Sequence, residues 1–198
     1  MLIIFIVESY IERDFKQLSD VYKSAFAEPP WDEYLKCSNC GVNYGINETK
    51  ASLGICKRCR LPLKLIEFWS EEDIRKDLLF ALSQNSPILL VAKYDGIIKG
   101  ITWGYQLPLP KFPFLKEVID PDSNYMDEIA VDGKVRKRGI GKLLGSAYID
   151  QCTAPEIVLR TDERNNASMG LFSSLGFKNT GVKDPEFPYR IYLRRKRK

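Results

Sequence analysis

The chain has 198 residues, 30 of them basic and 26 acidic, with 44% apolar residues and no histidine. That length and apolar share suit one domain with a real core, or one domain carrying a small insertion. The absent histidine excludes Ser-His-Asp and Cys-His catalysis and every metal site built on imidazole, and the near balance of charge does not indicate a broad nucleic-acid face. In chain order, residues 2–8 read as a first strand. The run is too short to span a membrane and lacks the basic start of a leader, so a cytoplasmic protein is expected. Residues 11–27 predict a helix, with Phe15, Leu18, Val21, Tyr22, Ala25 and Phe26 at three–four spacing. Glu28-Pro-Pro-Trp31-Asp32-Glu33 stops it and sets acidic groups beside an aromatic ring, a composition suited to a cationic amine.

Cys37-x-x-Cys40 and Cys56-x-x-Cys59 follow, with fifteen residues between the pairs. This spacing predicts a four-thiolate zinc ribbon over 35–67; two disulfides are the rival, disfavoured in a reducing compartment. Four thiolates leave no open coordination position, so the zinc would be structural. The ribbon is basic through Lys36, Lys50, Lys57, Arg58, Arg60 and Lys64. Ser70 reads as the N-cap of a helix to Leu82. Residues 88–92 and 97–105 read as strands of a hairpin turning at Asp95-Gly96. The proline-rich 107–114 is a loop, a lid or a linker. A strand at 125–131, a helix at 139–152, a strand at 156–160, a helix at 166–174 and short strands near 177–181 and 188–193 complete the chain. Cys152 reads as a small buried apolar residue. The basic end Arg194–Lys198 reads as a solvated tail.

The loop after strand 125–131 carries Arg136, Lys137, Arg138, Gly139, Ile140, Gly141 and Lys142. Amides at a helix N-terminus, glycines and positive charge make a cradle for phosphate or pyrophosphate. A Walker loop is absent, and a dinucleotide fingerprint would want its first glycine directly after the strand. The spacing Arg136-x-x-Gly139-x-Gly141 after Asp127-Glu-Ile-Ala-Val131 resembles the acetyl-CoA loop of the GNAT superfamily of N-acetyltransferases. Leu159–Phe177 resembles that family's second half, with Asn165 at the position that meets the pantetheine arm and Leu175-Gly176-Phe177 closing the helix. Ser168 stands where the family has Ala, and Phe172 where it has the Tyr that acts as general acid.

The resemblance implies an α+β fold, a three-layer α/β arrangement with a mixed, mostly antiparallel central sheet flanked by helices. The acetyltransferase domain would span 1–198, with the ribbon inserted at 35–67 between the first two helices. It implies acetyl transfer from acetyl-CoA to a primary amine by direct attack. Backbone groups of Ile129, Ala130 and Val131 would hold pantetheine, with Phe172 beside it. Asp127 and Glu128 are the candidate bases; without a bulge only one can face the cleft. Asp127, sharing a face with Ile129 and Val131, is slightly favoured, and Glu128 would form a salt bridge on the far face. Water, Tyr125 or Tyr148 would replace the missing acid. A small cationic acceptor, aminoglycoside- or polyamine-like, is favoured, with the ribbon as one wall of its cleft. A protein lysine or N-terminus, or a non-catalytic CoA- or RNA-binding role through ribbon or tail, are the alternatives. The protein is expected as a monomer or homodimer, with no membrane partner.

Overall fold

A computed structural model describes residues 6–50 and 54–197. Residues 2–5 of the expected first strand and Lys198 of the basic end lie outside the described residues. A seven-stranded sheet runs in the order β1-β5-β6-β7-β8-β10-β9. Its strands are β1 (Ile6–Ser9), β5 (Ile88–Tyr94), β6 (Ile97–Gln106), β7 (Asn124–Val131), β8 (Glu156–Asp162), β9 (Lys178–Lys183) and β10 (Arg190–Lys196). Every neighbouring pair is antiparallel except β7 with β8. Helices α1 (Phe15–Phe26) and α2 (Glu71–Ser83) cover one face, and α3 (Ile140–Gln151) and α4 (Asn166–Ser174) cover the other. This is the mixed, mostly antiparallel sheet between helical layers that the sequence implied.

Helix α1 begins at Phe15, the first residue of its apolar stripe and four residues later than expected. Glu12–Asp14 instead make a single 3-10 turn, because Asp14 is buried and ion-paired with Lys93 Nζ on β5 at 2.6 Å. Phe15, Leu18, Val21 and Tyr22 then bury the stripe as expected. Helix α2 starts with a full capping box: Ser70 Oγ accepts from the Asp73 amide, and Asp73 accepts from the Ser70 amide. The β5–β6 turn places Asp95 and Gly96 at φ 50° and 71°, the left-handed pair that a two-residue hairpin needs.

Between α1 and α2 lies a second sheet of three short strands, ordered β3-β2-β4: β2 (Leu35–Cys37), β3 (Asn43–Tyr44) and β4 (Leu65–Glu67). The proline-rich segment is no free lid. It forms two 3-10 turns, buries Leu107 and Leu115, and packs Phe112 and Phe114 against Tyr192. The basic end is not a solvated tail either. It is the second half of β10, where Arg195 Nε donates to Leu175 O and the following Arg197 Nη1 to Thr153 O, both at 3.0 Å. Cys152 is buried in the core, as expected. Among the described residues, no helix is long and apolar enough to cross a membrane.

Candidate active site

The sheet opens at its centre. Strands β7 and β8 pair only at Asn124↔Ile157 and Tyr125↔Val158, so the β8-facing edge of β7 is open from Met126 to Val131. At the same place β7 bulges against β6. Trp103 pairs with Glu128 and Gly104 with Met126, which leaves Asp127 as the extra residue. The bulge reverses the alternation of side chains. Tyr125 lies on the α1/α2 face before it, Ala130 lies on that face after it, and Ile129 and Val131 lie on the α3/α4 face. Asp127 and Glu128 therefore both face α1 and α2. This corrects two expectations: Asp127 does not share a face with Ile129 and Val131, and Glu128 makes no salt bridge on the far side.

Gly104 makes the bulge possible. A Cβ there would lie 2.0 Å from Tyr148 Oη and 2.2 Å from Tyr125 O. Gly104→Ala is expected to destabilise the fold by about 1–3 kcal/mol through overpacking, and to displace the carboxylate pair. Thermal denaturation checks the first effect, and loss of activity beyond that of an equally destabilised core variant checks the second.

The two carboxylates line a cavity of about 330 Å³. Its aromatic lining comes from Tyr22 and Phe26 of α1, Trp31, Phe68 and Trp69. Glu33 and Asp77 add two more acids, and Arg160 and Arg190 lie on the β8/β10 side. Asp127 Oδ2 accepts from Trp103 Nε1 at 3.4 Å and Tyr105 Oη at 3.3 Å. Glu128 Oε1 has a single contact, accepting from Tyr22 Oη at 3.4 Å. Burial pushes the Glu128 carboxyl well above the ordinary glutamate range, and the neighbouring Asp127 and Glu33 push it further. Burial also raises Asp127, but the Trp103 and Tyr105 donors oppose the shift. Glu33 and Asp77 are raised by burial as well.

On the far side of the open edge lies the basic loop. A 3-10 turn at Gly133–Val135 leads through Lys137 at φ 62° to Gly139 at φ 82°, and α3 begins at the next residue. The first amides of α3 have no partner within the helix and carry its positive dipole end. Arg136 is braced rather than free: its Nη1 donates to Glu28 Oε2 at 2.8 Å and its Nη2 to Ala25 O at 2.7 Å. Lys137, Arg138 and Lys142 are exposed around the turn, Ile140 is buried below it, and Gly141 lies between Val131 and Leu171.

Residues 56–177 match the family model described as the acetyltransferase (GNAT) family. The chain belongs to the GNAT family. A curated relative, the peptidyl-lysine N-acetyltransferase YjaB of Salmonella typhimurium, is 32% identical over 95 residues, covering 42% of this chain and 64% of the relative. The match thus spans less than two thirds of that protein's length. Among solved structures, PH1933 from Pyrococcus horikoshii OT3 superposes with a TM-score of 0.63 at 18% identity over 98% of this chain and 99% of that one. YncA from Salmonella typhimurium, solved with acetyl-CoA, gives 0.58 at 16% identity over 97% and 93%. At these identities the likeness is one of fold.

Against this GNAT frame, two of the residues expected near coenzyme A have roles within and beneath α4. Asn165 caps α4, its Oδ1 accepting from the Ser168 amide at 3.1 Å. Phe172 is 4% exposed and packs edge-on to Phe177 between α4 and the sheet, so its ring offers no surface to a ligand. Of the two tyrosines named as substitute acids, Tyr148 is fully buried with its hydroxyl on Asn124 Oδ1, whereas Tyr125 lines the cavity.

Among the described residues the ribbon itself does not wall the cavity; none of those within 35–67 lines it. Its two ends do. Glu33 precedes β2, Phe68 and Trp69 follow β4, and β2 pairs with β4 at Leu35↔Glu67. Trp69 Nε1 donates to Glu33 Oε2 at 2.8 Å, and Lys36 Nζ donates to Phe68 O at 3.0 Å. Within the ribbon, the sulfurs of Cys37, Cys40, Cys56 and Cys59 lie within 4.8 Å of one another, with Cys37–Cys59 at 3.9 Å and Cys40–Cys56 at 3.6 Å. A zinc–thiolate tetrahedron with bonds of about 2.3 Å has edges of roughly 3.8 Å, so this donor set fits zinc. At these separations the four cysteines are free thiols, not disulfides.

Sequence reasoning did not find Tyr22, Trp69, Asp77, Arg160 or Arg190 as cavity residues. Tyr22 carried only the signal of a core stripe, Arg160 sits in the Leu159–Phe177 stretch without having been singled out, and Arg190 sits in a strand with no motif around it. The bulge did leave a signal in Gly104, a glycine inside a strand.

Proposed function

We propose that this chain transfers the acetyl group of acetyl-CoA to the primary amine of a small cationic molecule bound in the acidic, aromatic cavity. The observation that carries the reading is the bulged pair Asp127 and Glu128, set at the open edge of β7 between the basic loop and the cavity. Amides of Gly139, Ile140 and Gly141, with Lys137, Arg138 and Lys142, would hold the diphosphate, and Arg136 would keep the loop in place through Glu28. The exposed edge of Ile129–Val131 would pair with the pantetheine arm. An alkyl ammonium has a pKa near 10.4 and must lose a proton before it attacks. Glu128, raised by burial and held by one donor where Asp127 has two, is the better base, and Asp127 supports it. The amine nitrogen then bonds to the acetyl carbon, the carbon–sulfur bond breaks, the thiolate takes a proton, and the second proton lost by the nitrogen returns to the group that supplied it. Tyr125, kept protonated by burial, is the donor at hand.

We also propose a zinc ion on Cys37, Cys40, Cys56 and Cys59, within a ribbon (35–67) inserted into one acetyltransferase domain. When bound, it would supply a structural cross-link. A second reading takes the amine from a protein lysine, as in the name of the Salmonella relative. Thiol release from acetyl-CoA, measured with small amines, lysyl peptides and a mixed protein substrate, tests both. Turnover on small amines supports the first, turnover confined to peptide or protein supports the second, and tight CoA binding without turnover on any amine overturns both.

The amide cradle predicts a separate result. Gly139→Ala places a side chain at φ 82°, which costs roughly 1–2 kcal/mol. It is expected to raise the KM for acetyl-CoA about tenfold and to leave the KM for the amine unchanged, as initial-rate kinetics with each substrate varied would reveal.

A further inference from the structure

Charge in the cavity is divided by element. The acids Asp127 and Glu128 stand on β7, Asp77 on α2, and Glu33 at the foot of the ribbon; the guanidiniums of Arg160 and Arg190 stand on β8 and β10. Arg160 is committed: its Nη1 meets the buried Asp184 Oδ2 at 3.0 Å. Arg190 is not. Its guanidinium lies over the Trp31 ring at 5.6 Å and the Phe187 ring at 4.4 Å. Among the described residues its side chain makes no hydrogen bond or ion pair. Two ring faces thus hold a planar fork in place and leave its N–H groups unspent.

A free, pre-oriented guanidinium in a cavity is a carboxylate-binding element, since it offers two parallel donors to a planar anion. A simple cationic amine would leave it unused and would be repelled by it. We infer that the acceptor is an amino acid or a close derivative, whose reacting amine is drawn to Asp127 and Glu128 while its carboxylate pairs with Arg190. The β7 carboxylates and the β10 guanidinium would each take one end of such a molecule. A diamino acid, with two ammonium groups and one carboxylate, matches best, because Asp77 adds a further acid to the lining that can receive the second ammonium. The inference rests on the acetyl-transfer reading above.

Matched pairs test it. Initial rates of thiol release are compared for L-lysine and 1,5-diaminopentane, L-ornithine and 1,4-diaminobutane, and L-phenylalanine and 2-phenylethylamine, each amine being its amino acid without the carboxylate. A lysine derivative with both the α-amine and the carboxyl group blocked is run alongside. The carboxylated member of at least one pair is expected to be preferred by roughly tenfold or more in kcat/KM, through KM. Arg190→Ala should erase that preference by raising KM for the amino acid while KM for the decarboxylated partner falls or stays level, and Arg190→Lys should restore part of it. Equal or better use of the decarboxylated members, preference for the blocked lysine, or an Arg190→Ala effect shared by both members overturns the inference and leaves acetyl transfer standing. Turnover on no amine at all, with CoA still bound, overturns the transfer reading and the inference with it.

Discussion

Glu128→Gln is expected to lower kcat by roughly 10²- to 10⁴-fold, the range for removing a general base, and to make the protein more heat-stable at pH 8. The two effects have one cause. The Glu128 carboxyl is buried beside Asp127 and Glu33, which raises its folded pKa well above the ordinary glutamate value. For a carboxyl shifted upward, the stabilising contribution is fully present below the unfolded pKa and is lost as pH rises through the folded one. Wild type therefore loses stability above the ordinary carboxylate range, and Gln, which cannot ionise, does not. The melting temperatures of variant and wild type should converge as pH falls toward 4.5 and separate as it rises, with the variant higher. Activity follows the opposite sign. The base must be deprotonated to work, so the wild-type rate should climb with pH through the raised value, and the variant should lack that limb. Asp127→Asn removes one of the charges that raise Glu128 and should move the limb to lower pH. A variant as active as wild type, or a melting difference that does not depend on pH, would remove Glu128 from the mechanism.

Much of this fold was legible because its signals are local. The stripe on α1, the cap at Ser70, the Asp95-Gly96 turn and the paired cysteines each encode their geometry within a few residues. The loop from Arg136 to Lys142 likewise declared its amides, glycines and charge. The cavity was legible only in part, since it is assembled across the sheet. Period-two reasoning put Asp127 and Glu128 on opposite faces; Gly104, more than twenty residues away, lets Met126 and Tyr125 approach closely enough to bulge the strand and bring both to one face. Arg190 and Trp31 meet through tertiary packing, with no spacing to announce it. The basic end misled for a related reason. A run of like charge suggests solvent, but β10 needed residues to pair with β8, and long arginine stems cover the sheet margin while their heads find carbonyls.

Removing zinc is the second large perturbation. The ribbon's own core is Cys37, Tyr44 and Cys56, with Leu35, Leu63 and Leu65 packed around them, too little apolar surface to hold some thirty residues folded. A structural four-cysteine zinc contributes about 10–16 kcal/mol in small modules, so chelation or Cys56→Ser should unfold the ribbon while the seven-stranded sheet persists. Hydrogen exchange should then rise across residues 35–67 and remain slow in β5, β6 and β7. The catalytic pair and the basic loop lie on those strands and on α3, so acetyl-CoA affinity should be retained. The acceptor end should suffer, because the β2–β4 pairing holds Glu33 against Trp69. Losing a hydrogen bond to a charged group costs about 1.5–3 kcal/mol, which corresponds to a rise in acceptor KM of roughly tenfold or more. Glu33→Gln in the zinc-loaded protein should reproduce that rise without the change in exchange, which separates the carboxylate's role from that of the scaffold holding it. An acceptor KM unmoved by chelation, in a protein whose ribbon has demonstrably opened, would mean that Glu33 and Trp69 hold their places without the metal.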